Sequence, residues 1–310
     1  MAAPVLELRS VTCTRGEAVI LDEVSLRLEE GEAAFFMGAA GSGKSALLKA
    51  ASGLDVASAG EILYRGRELA RMTRREEAEF RRKTGFVFQD AALWANQSLY
   101  DNLALPVRIH EPGLGAAAID AAVRRAAELV GYDEELRARP AELSLGERRL
   151  IGLARALVLD PELLYMDEPA ANLDEESAER VHEIQAALKD RGRSLFVASS
   201  SSAAVSRFAD RVGVLRGGRL LAYGSFDEAA AWTDPALRGI TGRLKARKAP
   251  PRPEWASSLA GAWADALAED KSAVDEPEWK LRDGASGDGD IDSDADAGPS
   301  EGGGEEDGRG

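Results

Sequence analysis

Residues 32–53 read EAAFFMGAAGSGKSALLKAASG. An apolar run suited to a short buried strand meets a glycine-rich octapeptide, and helix-forming residues follow at once. The octapeptide, Gly38-Ala39-Ala40-Gly41-Ser42-Gly43-Lys44-Ser45, has the form G-x-x-x-x-G-K-S. Glycines let successive main-chain N–H groups converge on phosphate oxygens, and the next helix turns its positive N-terminus to the same anion. At that spacing Lys44 reaches the β- and γ-phosphates and the Ser45 hydroxyl ligates Mg²⁺. The motif therefore predicts a strand–loop–helix unit of an α/β core together with its ligand, a nucleoside triphosphate with Mg²⁺.

The rest of the chain supplies partners for such a unit. ELLYMDEP (162–169) and SLFVASS (194–200) read as further buried strands, with a helix over 176–192 ending at Gly192. Buried strands alternating with helices imply a mostly parallel sheet covered on both faces. Ahead of it, VLELRSVTC (5–13) and VSLRLEE (24–30) alternate like strands of an antiparallel portion. Between Ala91 and Leu157 the pattern is helix after helix, which reads as a helical subdomain inserted into the core. A short helical stretch occupies 226–244. Asp167 and Glu168 end the strand at ELLYM, where Asp167 is placed to hold Mg²⁺ through water and Glu168 to orient or deprotonate an attacking water.

Charge matters only once it is located. The chain carries a net −15, but residues 249–310 hold 17 acidic and 5 basic residues, so the segment 1–248 is close to neutral. That division sets the expected organisation: a nucleotide-binding domain over 1–248 and an acidic, low-complexity tail over 249–310, too poor in apolar residues to order itself. Cys13 is the single cysteine, which excludes an intrachain disulfide. No run approaches the length of a membrane span, and the N-terminus lacks the pattern of a signal peptide. A cytoplasmic protein is expected, one that meets a membrane only indirectly, along its inner face. The basic run Arg238–Lys248 reads as a solvated helix face.

From Val5 to Leu244 the chain resembles the ATP-binding subunits of ABC transporters. The phosphate loop (38–45), a loop glutamine (Gln89), Leu143-Ser144-Leu145-Gly146-Glu147 as a variant LSGGQ signature, the strand acids Asp167 and Glu168, and the segment Asn172-Leu173-Asp174 follow one another in that family's order. The resemblance implies ATP and Mg²⁺ as ligands, with Gln89 joining Ser45 and Asp167 around the metal. It also implies a head-to-tail dimer. Each ATP would lie between the phosphate loop of one subunit and the Ser144–Gly146 helix start of the other, with Asp174 at the joint. Gln89 would couple hydrolysis to an integral membrane permease. A nucleic-acid partner is not expected, since no strongly basic face is evident.

Several positions depart from that family's pattern. Counting from Ala209-Asp210-Arg211, its switch histidine falls at residue 200, within Ser199-Ser200-Ser201-Ser202. A serine has a shorter reach and no cationic form, so Ser200 is expected to touch a γ-phosphate only through water. The two histidines, His110 and His182, lie in other segments. Leu145 adds bulk where the signature has glycine, and Glu147 stands for its glutamine. Arg15 occupies the place where relatives stack an aromatic ring on adenine, and a guanidinium plane can also stack on a base. These differences predict a slowly hydrolysing or partner-dependent ATPase, with Glu168 still available as base.

Three stretches, VTCTRGEAVILDEVSL, FVFQDAALWANQSLYDNLALPVRIH and AAAWTDPALRGI, resemble the ATPases of Mla/Mce-type lipid transporters. An importer ATPase for another cargo is the alternative within the family. Outside transport, the alternative is a regulatory clamp that signals by ATP-dependent dimerisation.

Overall fold

The strand ahead of the phosphate loop, Ala33–Met37, is buried over its whole length, and its alternate side chains belong to two different cores. Ala33, Phe35 and Met37 face one side, and Ala34 and Phe36 the other. A strand of period two with both faces apolar has to lie inside a sheet covered on both sides. The rest of the fold supplies those covers.

The computed structural model describes residues 3–244. The acidic stretch 249–310 and the end of the basic run, 245–248, lie outside the described residues. In chain order the strands are β1 (Leu6–Arg15), β2 (Ala18–Leu28), β3 (Ala33–Met37), β4 (Ala59–Tyr64), β5 (Arg67–Glu68), β6 (Thr84–Val87), β7 (Leu163–Asp167), β8 (Ser194–Ala198), β9 (Arg211–Arg216) and β10 (Arg219–Ser225). The helices are α1 (Lys44–Ala51), α2 (Arg74–Lys83), α3 (Leu99–His110), α4 (Ala116–Leu129), α5 (Leu145–Leu157), α6 (Glu175–Asp190), α7 (Ser202–Phe208), α8 (Phe226–Ala231) and α9 (Pro235–Thr241).

One sheet has the order β10-β9-β3-β8-β7-β6. Its neighbours are parallel except the β9–β10 hairpin. The other sheet, β2-β1-β4-β5, is antiparallel. The expected class, an α/β P-loop core with an N-terminal antiparallel portion and a helical subdomain, is what the chain forms. On one face of the parallel sheet, Phe35, Leu164, Met166, Leu195 and Val197 pack with apolar residues of α3 to α7. On the other, Phe36, Leu163, Tyr165 and Phe196 pack with α1 and the antiparallel sheet. The second core is aromatic at its centre: the Phe36 and Phe196 rings lie 4.5 Å apart, and Phe196 meets Tyr165 edge-on at 5.7 Å.

Local signals set the element ends. Thr73, Ser144 and Ser225 each begin a helix with a full capping box, and Ser98, Asp174 and Ser201 accept from main-chain N–H groups one turn on. The helical region begins at Leu99 rather than near Ala91, because Ala91 and Ala92 both adopt positive φ, at 64° and 48°, and the Ser98 cap starts the helix. In β2, VSLRL is only the second half of an eleven-residue strand.

Removing the ring of Phe36 would leave a cavity beside Phe196, with Tyr223 stacked at 6.0 Å on the other side. Phe36→Ala is therefore expected to lower unfolding free energy by about 3–5 kcal/mol, measurable by urea titration.

Candidate nucleotide site

The parallel strands β3, β6, β7 and β8 share one direction, so their C-terminal ends open on the same edge, where ligands of such sheets bind. The phosphate loop follows β3, Gln89 lies two residues past β6, Asp167 closes β7 with Glu168 next, and Ser199–Ser201 follow β8.

The loop is fitted main chain against main chain. Gly218 N–H donates to the Ser42 carbonyl at 3.0 Å, and the Gly218 carbonyl accepts from Asp22 N–H at 3.0 Å, tying the loop to the β9–β10 turn and to β2. A Cβ at Gly38 would stand 2.4 Å from the Leu215 carbonyl oxygen. Gly43, at φ 102°, is the N-cap of α1, a conformation that other residues resist. Ala39, Ala40 and Gly41 form the exposed crest, while Ser42 and Lys44 are buried and Ser45 is half-buried. The Lys44 ammonium donates to the carbonyls of Gly38 and Ala39, at 2.9 and 3.2 Å, and lies 3.9 Å from Glu168 Oε1.

Asp167 is 5 % exposed, and its Oδ1 has no hydrogen-bond partner among the described residues. A buried carboxylate oxygen without a donor is costly unless a cation supplies the charge. Together with the half-buried Ser45 hydroxyl, this oxygen makes a hard, all-oxygen donor set of the kind Mg²⁺ takes. Glu168 sits on a strained turn at φ 48°, with its N–H bonded to the Ala198 carbonyl at 2.9 Å. Its Oε2 accepts from Ser200 twice, from the main-chain N–H at 2.9 Å and from the hydroxyl at 3.0 Å. Ser200 thus makes a contact the sequence did not suggest. Its partner is the carboxylate.

The remaining serines have separate tasks. Ser199 N–H donates to the Phe36 carbonyl at 3.0 Å, its hydroxyl accepts from Ser201 N–H at 3.1 Å, and the Ser201 hydroxyl caps α7.

The structure gathers Lys44, Asp167, Glu168 and Ser200, and places the signature residues in a second group. Ser144 caps α5, its hydroxyl accepting from Glu147 N–H at 3.2 Å while Glu147 Oε2 accepts from Ser144 N–H at 2.7 Å. Hydrogen bonding to its carboxyl from the Ser144 hydroxyl and main-chain N–H holds the Glu147 pKa below the usual range. A Cβ on Gly146 would stand 2.9 Å from Ser177 Oγ and 3.1 Å from Asp174 Oδ2, so the signature packs against the start of its own α6. Asp174 caps that helix, accepting from Ser177 N–H at 2.8 Å. Leu145 is 47 % exposed. Arg15 ends β1 in an exposed hairpin whose second strand passes Gly43 at Ile20. Gln89 is exposed in its loop. Of the histidines, His182 lies against Phe208 and Glu179, and burial pulls its pKa down.

One residue of this region escaped the sequence reading. Arg155, on the apolar helix RRLIGLARAL, donates to the Ala92 and Ala91 carbonyls at 2.7 and 2.9 Å. Its burial lowers its pKa, partly offset by the nearby Asp90 carboxylate. The signal available was a guanidinium within the otherwise apolar second half of that helix, LIGLARAL. It holds the two left-handed alanines that follow Gln89, and so joins that loop to the helix capped by Ser144.

A main-chain phosphate cradle, a lysine, and strand-end acids on a parallel sheet define the chain as a P-loop nucleotide-binding protein. The particular family follows from comparison: residues 21–171 match the ABC transporter family model. The chain is 33% identical over 210 residues to the methionine import ATP-binding protein MetN 1 of Rhodopseudomonas palustris, covering 67% of this chain and 56% of that one. It is 32% identical over 240 residues to the intermembrane phospholipid transport system ATP-binding protein MlaF of Escherichia coli K12, covering 76% and 88%. Among solved structures, the dimeric post-hydrolysis state of the ATP-binding cassette MJ0796 bound to ADP and Pi superposes with a TM-score of 0.66 at 25% identity, covering 71% of this chain and 98% of that one. The chain belongs to the ABC transporter ATP-binding family. Its 32% identity to the Escherichia coli MlaF is no greater than its 33% identity to the methionine importer's ATPase.

Breaking the Arg155 latch should loosen the loop and leave the sheet in place. Arg155→Met is expected to speed amide hydrogen exchange over 89–94 by roughly tenfold or more, with β3 and β8 unchanged, because two charge-assisted bonds hold a conformation that alanine disfavours.

Proposed function

We propose that this chain is the ATP-hydrolysing subunit of an ABC transporter of Mla type, acting as a head-to-tail pair beneath an integral membrane permease. The observation that most supports it is Asp167, which keeps a buried oxygen without a partner among the described residues at the sheet edge where Lys44 of the phosphate loop lies 3.9 Å from Glu168. That combination suits the polyphosphate of a nucleotide together with its cation.

The residues divide the work. Main-chain amides of 38–45 and the N-terminus of α1 bind the phosphates, and Lys44 exchanges the Gly38 and Ala39 carbonyls for phosphate oxygens. Ser45, Asp167 and Gln89 would hold Mg²⁺, which would supply neutralisation of phosphate charge. Glu168 accepts a proton from the attacking water as its oxygen bonds to the γ-phosphorus. The bond to the β–γ bridging oxygen breaks, and ADP and phosphate leave. Ser144 and Gly146 of a second copy close over the nucleotide and turn another helix N-terminus to the γ-phosphate. Arg15 lies on the hairpin beside the loop, where its guanidinium would stack on the base.

The dimer is supported by the dimeric cassette that superposes on this chain. The lipid branch is supported by the three Mla-like stretches of the sequence and by the Escherichia coli MlaF, 88% of which the chain spans. Among the described residues, no helix is long and apolar enough to cross a membrane. In this reading, contact with the bilayer runs through the permease, on its cytoplasmic side, with the exposed Gln89 loop facing it.

Glu168→Gln is expected to bind ATP as the wild type does and to lose at least about a hundredfold in turnover, measured as phosphate release; equal rates would remove Glu168 from the mechanism. Pull-down from detergent extract is expected to bring a multi-helix permease, and phospholipid is expected to stimulate its ATPase where methionine does not. A homodimer free of membrane protein would favour the regulatory clamp, and stimulation by methionine the importer.

A further inference from the structure

We propose that Ser200 is a positioning residue for Glu168, its hydroxyl and main-chain N–H together setting the direction of the carboxylate; this rests on the hydrolase reading above. The geometry is specific. Both donors of Ser200, main-chain N–H and Oγ–H, converge on one oxygen, Oε2, at 2.9 and 3.0 Å. The other oxygen, Oε1, is left on the side of Lys44, 3.9 Å from its ammonium. A carboxylate so divided has one oxygen fixed and one available to a water at the phosphate.

Ser200 is itself anchored from both sides. Ser199 N–H continues the ladder onto the Phe36 carbonyl, and Ser201 is fixed by the Ser199 hydroxyl and by its role as the α7 cap. The serine run therefore sets where Glu168 points. Glu168 needs such a guide. Its side chain has three rotatable bonds, and the turn that carries it sits at φ 48°. Beside it lies a cavity of about 220 Å³ lined in part by Glu168, His182, Gln185, Ser199, Ser200 and Ser201. An unclamped carboxylate has room to turn into that cavity, away from Lys44. Loss of the Ser200 hydroxyl removes one of two donors, while the main-chain donor remains.

The test uses the full chain in steady-state ATP hydrolysis with Mg²⁺. Ser200→Ala is expected to lower kcat by about 3–10-fold, the rate equivalent of one such hydrogen bond, with KM for ATP changed less than about twofold. Ser200→Thr, which keeps the hydroxyl, is expected to retain most of the rate. In a Glu168→Gln background, Ser200→Ala should have no further effect, because the serine acts through the carboxylate. Thermal melting of each variant checks that the fold is intact.

Wild-type kcat in Ser200→Ala would overturn the proposal. So would the same fractional loss in the Glu168→Gln background, which would mean that the serine acts directly on the phosphate. If wild type and Glu168→Gln turn over equally, Glu168 is removed from the mechanism and this proposal fails with it, whereas a wild type that releases no phosphate defeats the hydrolase reading. A large loss in Glu168→Gln beside an unaffected Ser200→Ala defeats the positioning role alone.

Discussion

The site depends on a backbone being able to touch a backbone. The phosphate loop leaves β3 with the Leu215 carbonyl 2.4 Å from where a Gly38 Cβ would stand, and is bonded through Ser42 to Gly218 at the β9–β10 turn. Those contacts set the loop by main-chain geometry rather than by side-chain packing, leaving its exposed N–H groups for an anion. They also explain why the antiparallel elements matter to a site on the parallel sheet: β2 and the β9–β10 hairpin are the walls against which the loop is shaped. The buried alternation of β3 places that loop between two cores, so neither wall can move without disturbing packed aromatic rings.

The strand ends then assemble the chemistry at small cost in chain length. Asp167 pairs in register with Ala198, so one residue further Glu168 stands beside the serine run. Two parallel strands in fixed register deliver a metal-type carboxylate, a base-type carboxylate and a hydroxyl to neighbouring positions. The strain at Glu168, a left-handed conformation worth roughly 1–2 kcal/mol for such a residue, is of the kind retained where side-chain direction matters.

The sequence made much of this legible, for reasons that differ by element. Continuous apolar runs marked β3, β7 and β8, because strands buried on both faces carry no competing polar pattern. The phosphate loop was legible because its glycines answer a close-approach requirement that few other residues meet. By contrast β6, β9 and β10 were not picked out. Gly85, Gly213 and Gly224 interrupt their periodicity, and β10 is partly exposed. The Ser200–Glu168 bond was illegible because it joins positions thirty-two residues apart through strand register, which no local pattern encodes. Arg155 was missed for the same reason: its partners are carbonyls sixty-odd residues away, invisible in composition.

The signature helix shows how a departure from a family pattern can be locally sound and still alter the site. Glu147 is a good capping-box partner: its carboxylate closes on Ser144 N–H, and hydrogen bonding from the Ser144 hydroxyl and that N–H lowers its pKa. But the N–H it occupies belongs to the helix end that, in the proposed dimer, turns toward a γ-phosphate. Two anions then compete for one positive terminus, and Glu147 must release Ser144 or be repelled by the phosphate. A glutamine at this position would cap without the charge. The exposed Leu145 side chain stands at the same helix start, so closure there also has to accommodate apolar bulk. Both features would weaken closure of the proposed dimer rather than capture of nucleotide at the 38–45 loop. A subunit built this way should therefore hold ATP readily and commit to hydrolysis only when something outside the nucleotide site, such as a permease pressing on the Gln89 loop, helps to bring the two copies together.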